Sequence, residues 1–293
     1  MGAERPRRAY TVLDVFTDVP LEGNPVAVFD DGSGVEDATM QRLARELNLS
    51  ETVFLLPPSD AGAGADARVR IFTPGAELPF AGHPVLGTAF LLAERSGRDS
   101  VVLETGVGLI PVALQRSAGG ELVYGEMDQP IAVAEPFSDE AGLLRALGLS
   151  RSELPIEAYR NGPVHVYVAL GSADAVAALE PDMGALARLG DGYGISCFAL
   201  AGEDGRGAKT RMFGPGVGVP EDPATGSAAG PLALHLARHG WIGFGQEIEI
   251  RQGAEIGRPS LLRARVEGTA ERVQRIVVGG GAVPVARGEY SLG

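Results

Sequence analysis

One half of this 293-residue sequence echoes the other. Val69-Arg70-Ile71-Phe72-Thr73-Pro74-Gly75 returns 141 positions later as Thr210-Arg211-Met212-Phe213-Gly214-Pro215-Gly216. The apolar block from Gly87 to Gly97 returns 143 positions later, from Gly230 to Gly240. Weaker echoes pair Pro25-Val26-Ala27-Val28-Phe29 with Pro163-Val164-His165-Val166-Tyr167, and Phe54 with Phe198 at an offset of 144. Self-similarity over such a span means one supersecondary unit built twice, so two unrelated modules are excluded.

Each copy alternates β-rich runs with a few helical patterns, which predicts an α+β unit. Residues 10–16, 27–29, 51–56 and 68–72 read as strands bounded by Gly, Pro and Asp. Residues 37–47 read as an amphipathic helix, with Met40, Leu43, Ala44 and Leu47 at 3–4 spacing. Residues 84–94 and 227–238 have almost no polar face, so each of these helices must be enclosed by protein. The prediction is two pseudo-symmetric lobes, each a curved, mostly antiparallel sheet wrapped around a central helix. The crossing between them is placed near 126–134, giving a first lobe of 1–128 and a second of 129–281. Gly279-Gly280-Gly281, inside a strand-like run, is read as a sharp redirection that returns 282–293 to the first lobe.

Single residue types exclude whole chemistries. The 25 basic residues are 24 arginines and Lys209, which argues against a Schiff-base lysine and pyridoxal phosphate. One cysteine, Cys197, rules out an internal disulfide and any pair of catalytic thiols. A net charge of −13 offers no basic footprint for nucleic acid or an anionic membrane. The first ten residues lack the apolar core of a secretory leader, and the longest Pro-free apolar stretch, 85–93, is far short of the ~18 residues of a membrane span. A soluble, cytoplasmic protein is expected.

Three segments combine acids, a histidine and helix starts: Asn48-Leu49-Ser50-Glu51-Thr52, Pro79-Phe80-Ala81-Gly82-His83-Pro84, and Pro220-Glu221-Asp222-Pro223-Ala224-Thr225-Gly226-Ser227. The second and third are equivalent places in the two copies. A helix N-terminus presents unpaired N–H groups and a partial positive charge, so two facing starts would clamp a small anion. Thr225 and Ser227 can equally be read as ordinary caps. Glu51 sits in a strand-like run with apolar and hydroxyl-bearing neighbours, and is either a surface carboxylate or a site residue whose pKa burial would raise. Counting by the offset of 144, its counterpart is Ile195, which leaves one carboxylate for single-base chemistry. His83 precedes Pro84, read as a proline at the first helical position. His235 and His239 are four apart on a helix, but no third ligand is in view, so no metal is expected. Gly202 to Thr210 lacks the glycine a phosphate loop needs before Lys209, and Gly214 to Gly218 lacks the last glycine of a dinucleotide fingerprint. No cofactor is expected. Cys197 reads as a buried strand thiol.

Asn48-Leu49-Ser50-Glu51, Glu77-Leu78-Pro79-Phe80-Ala81-Gly82-His83-Pro84, and Glu221-Asp222 through Ala224-Thr225-Gly226-Ser227-Ala228 resemble signature segments of the phenazine-biosynthesis PhzF family, similar in fold to diaminopimelate epimerase. The resemblance runs from about Tyr10 to Leu292. It extends to Tyr159-Arg160-Asn161-Gly162-Pro163, to the run from Gly230 to His239, and to Gly253 through Ser260. It implies a cofactor-free isomerase acting on trans-2,3-dihydro-3-hydroxyanthranilate, an anionic small molecule. Glu51 would match the acid/base that moves a proton from ring C3 to C1. His83 and Asp222 would match residues orienting the substrate and the Glu. Gly82, Gly226 and Ser227 would stand at the substrate-binding helix starts, and the resemblance implies a homodimer. The related epimerases use two opposed cysteines, which this chain lacks at 82, 83, 222 and 226. An isomerase or epimerase of another small amino or hydroxy acid, or a non-catalytic binding protein with the same fold, are the alternatives.

Overall fold

A computed structural model describes residues 7–189, 192–202 and 206–292. Residues 1–6, on which the leader reading partly rests, and 203–205 of the phosphate-loop comparison lie outside the described residues. The first half contains β1 (Arg7–Val15), β2 (Asn24–Phe29), α1 (Asp37–Leu47), β3 (Glu51–Leu56), β4 (Ala67–Phe72), β5 (Glu77–Leu78), α2 (Gly82–Ser96), β6 (Ser100–Thr105), β7 (Gly108–Arg116) and β8 (Leu122–Gln129). There follow β9 (Val133–Pro136), α3 (Glu140–Leu147), β10 (Glu157–Arg160), β11 (Val164–Ala169), α4 (Ala173–Ala177), α5 (Met183–Arg188), β12 (Tyr193–Ala201), β13 (Gly207–Gly214), β14 (Val219–Asp222), α6 (Gly226–Arg238), β15 (Glu247–Gln252), β16 (Ser260–Gly268), β17 (Val273–Gly280) and β18 (Ala282–Ser291). Among the described residues no helix is long and apolar enough to cross a membrane.

Strand pairing repeats the sequence symmetry. β18, β1, β2, β3, β4, β6, β7 and β8 are neighbours in that order, and only β2–β3 and β4–β6 run parallel. β9, β10, β11, β12, β13, β15, β16 and β17 follow the same order, with β11–β12 and β13–β15 parallel. The two series meet where β8 pairs antiparallel with β17. At this seam Gly279 is essential, since a Cβ there would stand 2.7 Å from the Gly125 carbonyl oxygen. β18 then leaves the seam and pairs with β1 over its whole length.

Each half curls around one helix. In α2 the run from Gly82 to Leu91 is buried, and in α6 so is every residue from Gly226 to Ala237, as their missing polar faces require. One apolar cluster joins both helices to the concave sheet faces. At ~1.5–3 kcal/mol for each large side chain taken from water, this cluster is the main stabilising term. The convex faces are covered separately: α1 packs Met40 and Leu43 on Phe29, Phe54 and Phe72, while α3, α4 and α5 cover Val166, Val168, Ile195 and Cys197.

This division of faces corrects the register of the weaker echoes. Phe54 belongs to the convex cluster and Phe198 to the concave core, so they are not equivalents. The 141-residue repeat holds: Arg70 pairs with Phe54, and Arg211 with Cys197. Cys197 is therefore the counterpart of Phe54, and Gly194, rather than Ile195, is the counterpart of Glu51. In the same way Val26 and Val28 face the core as Tyr167 does, while Val164 and Val166 face outward. A slip of one residue moves a strand's side chains to the other face, and these strands are apolar on both, so sequence alone could not fix the register.

Candidate active site

The helix starts of α2 and α6 touch. A Cβ on Gly82 would lie 2.6 Å from the Gly226 carbonyl carbon, and one on Gly226 would lie 3.0 Å from Gly82 Cα. Two glycines are thus the condition for bringing two sets of free N–H groups to one point. Pro84 is the third helical residue rather than the first, still within the turn where no intrahelical N–H bond is lost. Neither helix start has a side-chain cap, so the reading of Thr225 and Ser227 as caps is set aside. Thr225 Oγ1 instead donates to Asp222 at 2.6 Å, and Ser227 Oγ lies 2.9 Å from His165 Nε2.

Three predicted site residues converge here. Glu51 opens β3 and is 9% exposed, His83 is 2% and Asp222 4% exposed. Glu51 Oε2 and His83 Nε2 are 3.3 Å apart but not aligned as a hydrogen bond, and each lacks a partner. Burial, reinforced by the Asp222 charge, raises the Glu51 pKa well above the usual carboxylate range. Burial pushes His83 down to about 3, so its ring is neutral. Burial also carries Asp222 up to about 6, opposed by hydrogen bonds from Thr225, Ser50 and Asn24. The arrangement suits proton transfer: a carboxyl poised to gain or lose a proton, beside a neutral imidazole, in a site closed to water.

Several residues of the site carried no sequence signal strong enough to single them out. Asn24 Nδ2 donates to Asp222 at 2.8 Å and to the Ala224 carbonyl at 2.9 Å, and lies 3.2 Å from His83 Nδ1, tying the two lobes together. Gln252 Nε2 donates to the Asp222 carbonyl at 2.8 Å and to Thr225 Oγ1 at 2.9 Å. On the second lobe, Pro231 inside α6 has no N–H for the Ser227 carbonyl. Asn161 Nδ2 takes that place at 2.8 Å, and Gln129 Nε2 bonds the Gly226 carbonyl at 2.7 Å. Buried atoms without partners include Glu51 Oε2 and His83 Nε2, Oδ1 of the Asn24 that bonds Asp222, and Asn161 Oδ1 and His165 Nδ1, on residues that hold Ser227. Unpaired buried polar atoms cost ~1–3 kcal/mol each, a cost borne where a ligand will supply the partner.

The profile of a family described as phenazine biosynthesis-like protein matches residues 13–288. The chain belongs to the phenazine biosynthesis-like family. A trans-2,3-dihydro-3-hydroxyanthranilate isomerase of Pseudomonas aeruginosa is 54% identical to this family member over 283 residues, spanning 97% of this chain and 99% of that protein. A crystal structure of a Bacillus anthracis phenazine biosynthesis protein of the PhzF family superposes with a TM-score of 0.80 at 27% identity, covering 97% of this chain and 99% of that one. A hydroxyproline epimerase of Agrobacterium vitis shares the fold at a TM-score of 0.71 and 15% identity, covering 100% of this chain and 94% of that one. The epimerase-like α+β architecture read from the sequence is therefore the architecture of this phenazine biosynthesis-like protein.

At the far end of α6 the two histidines, for which the sequence showed no third ligand, have a carboxylate beside them. Glu157 Oε2 lies 3.2 Å from both His235 Nδ1 and His239 Nε2, a third potential ligand brought in by β10. Arg238 Nη1 stands 3.6 Å from the same oxygen and donates to Tyr159 Oη at 2.9 Å, so a guanidinium also faces Glu157.

The raised Asp222 pKa has a measurable consequence. Its stabilising contribution is complete below the unfolded value near 3.8 and is lost as pH rises through about 6. Asp222→Asn, neutral throughout, is expected to gain several degrees of melting temperature relative to wild type on going from about pH 4.5 to about pH 7.5. Parallel melting curves in thermal scans would remove this assignment.

Proposed function

We propose that this protein is a cofactor-independent isomerase converting trans-2,3-dihydro-3-hydroxyanthranilate to the aminoketone precursor of phenazines. The observation that carries the chemistry is Glu51: a buried carboxyl whose Oε2 has no hydrogen-bond partner, set between two uncapped helix starts. The substrate comes from the names of relatives matched over almost the full chain. In this reading Gly82, Gly226 and Ser227 hold the substrate's carboxylate and ring, while His83 and Asp222 orient its polar groups. Glu51 removes the proton from C3, the electron pair of that bond enters the ring diene, and the double bonds shift. C1 then takes a proton from Glu51, and the enol left at C3 becomes the ketone. No electrons are gained or lost overall, so no redox partner is required.

The buried site must open to load. The lobes of this proposal are 1–128 with 282–293, and 129–281, bending at the β8–β17 seam; closure afterwards keeps water from an unstable product. A homodimer in the cytoplasm belongs to the same proposal, and light scattering tests the assembly.

Proton NMR in deuterated buffer tests the reaction. The expected result is new vinyl and α-proton signals from migrated double bonds, with at most one deuterium at C1. Exchange at a stereocentre with the double bonds unmoved, on a different amino or hydroxy acid, would instead establish an epimerase. Binding without turnover would leave a carrier.

A further inference from the structure

In each lobe a titratable side chain on the sheet meets the second residue of the buried helix. In the first lobe Glu51 Oε2 lies 3.3 Å from His83 Nε2. In the second, the helix position 144 residues on is Ser227, and its Oγ lies 2.9 Å from His165 Nε2. The counterpart of Glu51 is Gly194, where a Cβ would stand 2.6 Å from His165 Nδ1. The His165 ring therefore occupies the room that a side chain at 194 would need, and it is 3% exposed.

We propose that His165 is a positioning residue for the substrate carboxylate, its Nε2–H donating to Ser227 Oγ so that the serine hydroxyl proton is free to point at the anion. This rests on the reading of the α6 start as the carboxylate site. Burial lowers the His165 pKa to about 4, so the neutral ring carries one N–H. Nδ1 has no partner. A proton on Nδ1 would leave a buried N–H without an acceptor, which native structures tolerate less readily than an unused lone pair. The proton therefore resides on Nε2, and Ser227 Oγ accepts it. The hydroxyl keeps its one donor, and the backbone beneath it is pinned by Asn161 and Gln129. Without His165 the hydroxyl could turn back onto a local carbonyl, as serine side chains do near helix ends.

The test is a double-mutant cycle with kinetics on the dihydrohydroxyanthranilate and inhibition by its aromatic form, 3-hydroxyanthranilate, and by the carboxamide of that inhibitor. His165→Leu and Ser227→Ala are each expected to raise KM about tenfold with kcat within about threefold, because a charge-assisted hydrogen bond made equally to substrate and transition state is lost. His165→Gln, which keeps a donor near Nε2, is expected to stay within about threefold of wild type, and the double variant to be no worse than Ser227→Ala by more than about twofold. The carboxamide should be nearly insensitive to both substitutions. Unchanged KM in His165→Leu, multiplicative effects in the double variant, or Leu tolerated better than Gln would overturn the inference. Unchanged KM in Ser227→Ala alone would instead overturn the carboxylate reading beneath it. If Leu at 165 prevents folding, His165→Met with the same cycle gives the same decision.

Discussion

Glu51→Gln is expected to fold normally and to lose turnover by ~10³-fold or more, the scale of a positioned general acid/base removed outright. Gln has the shape of Glu but cannot carry a proton between two ring carbons. The fold should not suffer, because the carboxyl is costly where it is. With its folded pKa raised above the unfolded value, Glu51 contributes stability fully below about pH 4.5 and loses it as pH rises toward the folded pKa. A neutral side chain escapes that decline, so the variant should melt no lower than wild type at alkaline pH. Turnover measured by NMR within about tenfold of wild type would sink the assignment of the base. A collapsed fold would show that the carboxylate is structural.

Gly82→Ala is expected to damage stability and turnover together. Its Cβ would come within 2.6–2.7 Å of three backbone atoms of Gly226 and Ser227, none of which can swing aside as a side chain can. The helix starts must then separate, and every donor aimed at the substrate moves with them. A loss of ~1–3 kcal/mol in stability is expected from overpacking. A fall of ~100-fold or more in kcat/KM should accompany it, since displacements near 1 Å are that harmful to positioned groups. Gly171→Ala is the control: its Cβ would meet nothing nearer than 3.8 Å, and it should be silent. Wild-type kcat/KM in Gly82→Ala would mean that the closed contact is dispensable.

Elements whose pattern has one period were legible in the sequence. α1 spans Asp37–Leu47 as the 3–4 spacing predicts, and the two helices without a polar face are the two enclosed helices. The covering helices α4 and α5 escaped, being five and six residues long with too few turns to show a period. Register between the copies escaped because β11 is buried at all six positions, so nothing in Val164–Ala169 says which face is which. The site divides similarly. Glu51, His83 and Asp222 stand in segments with recognisable neighbours, and the structure brings them together. Asn24, Asn161 and His165 are single polar residues beside apolar strands. Their meaning depends on partners such as Asp222 and Ser227, which lie 198, 66 and 62 residues away in sequence. His165 in Val164–Ala169 is, like Glu51 in its own strand, a titratable group in an apolar run.

The pairing of β1 with β18 bears on how the molecule is made as well as how it is held. Arg7 pairs with Ser291 and Val15 with Ala282, so β1, made before every other described strand, waits for β18, made after them. Until then β1 has only β2 beside it and exposes an unpaired edge, the kind of surface that invites association between nascent chains. The nine strands β9 to β17, by contrast, pair with one another as soon as they emerge. Synthesis therefore reverses the order of the sequence: the second lobe can close first and template the seam, and the first is completed only when the final strand arrives. A circular permutant that joins the ends of β18 and β1 and opens in the loop before β9 should refold faster than the natural order, because its longest loop closure has been removed.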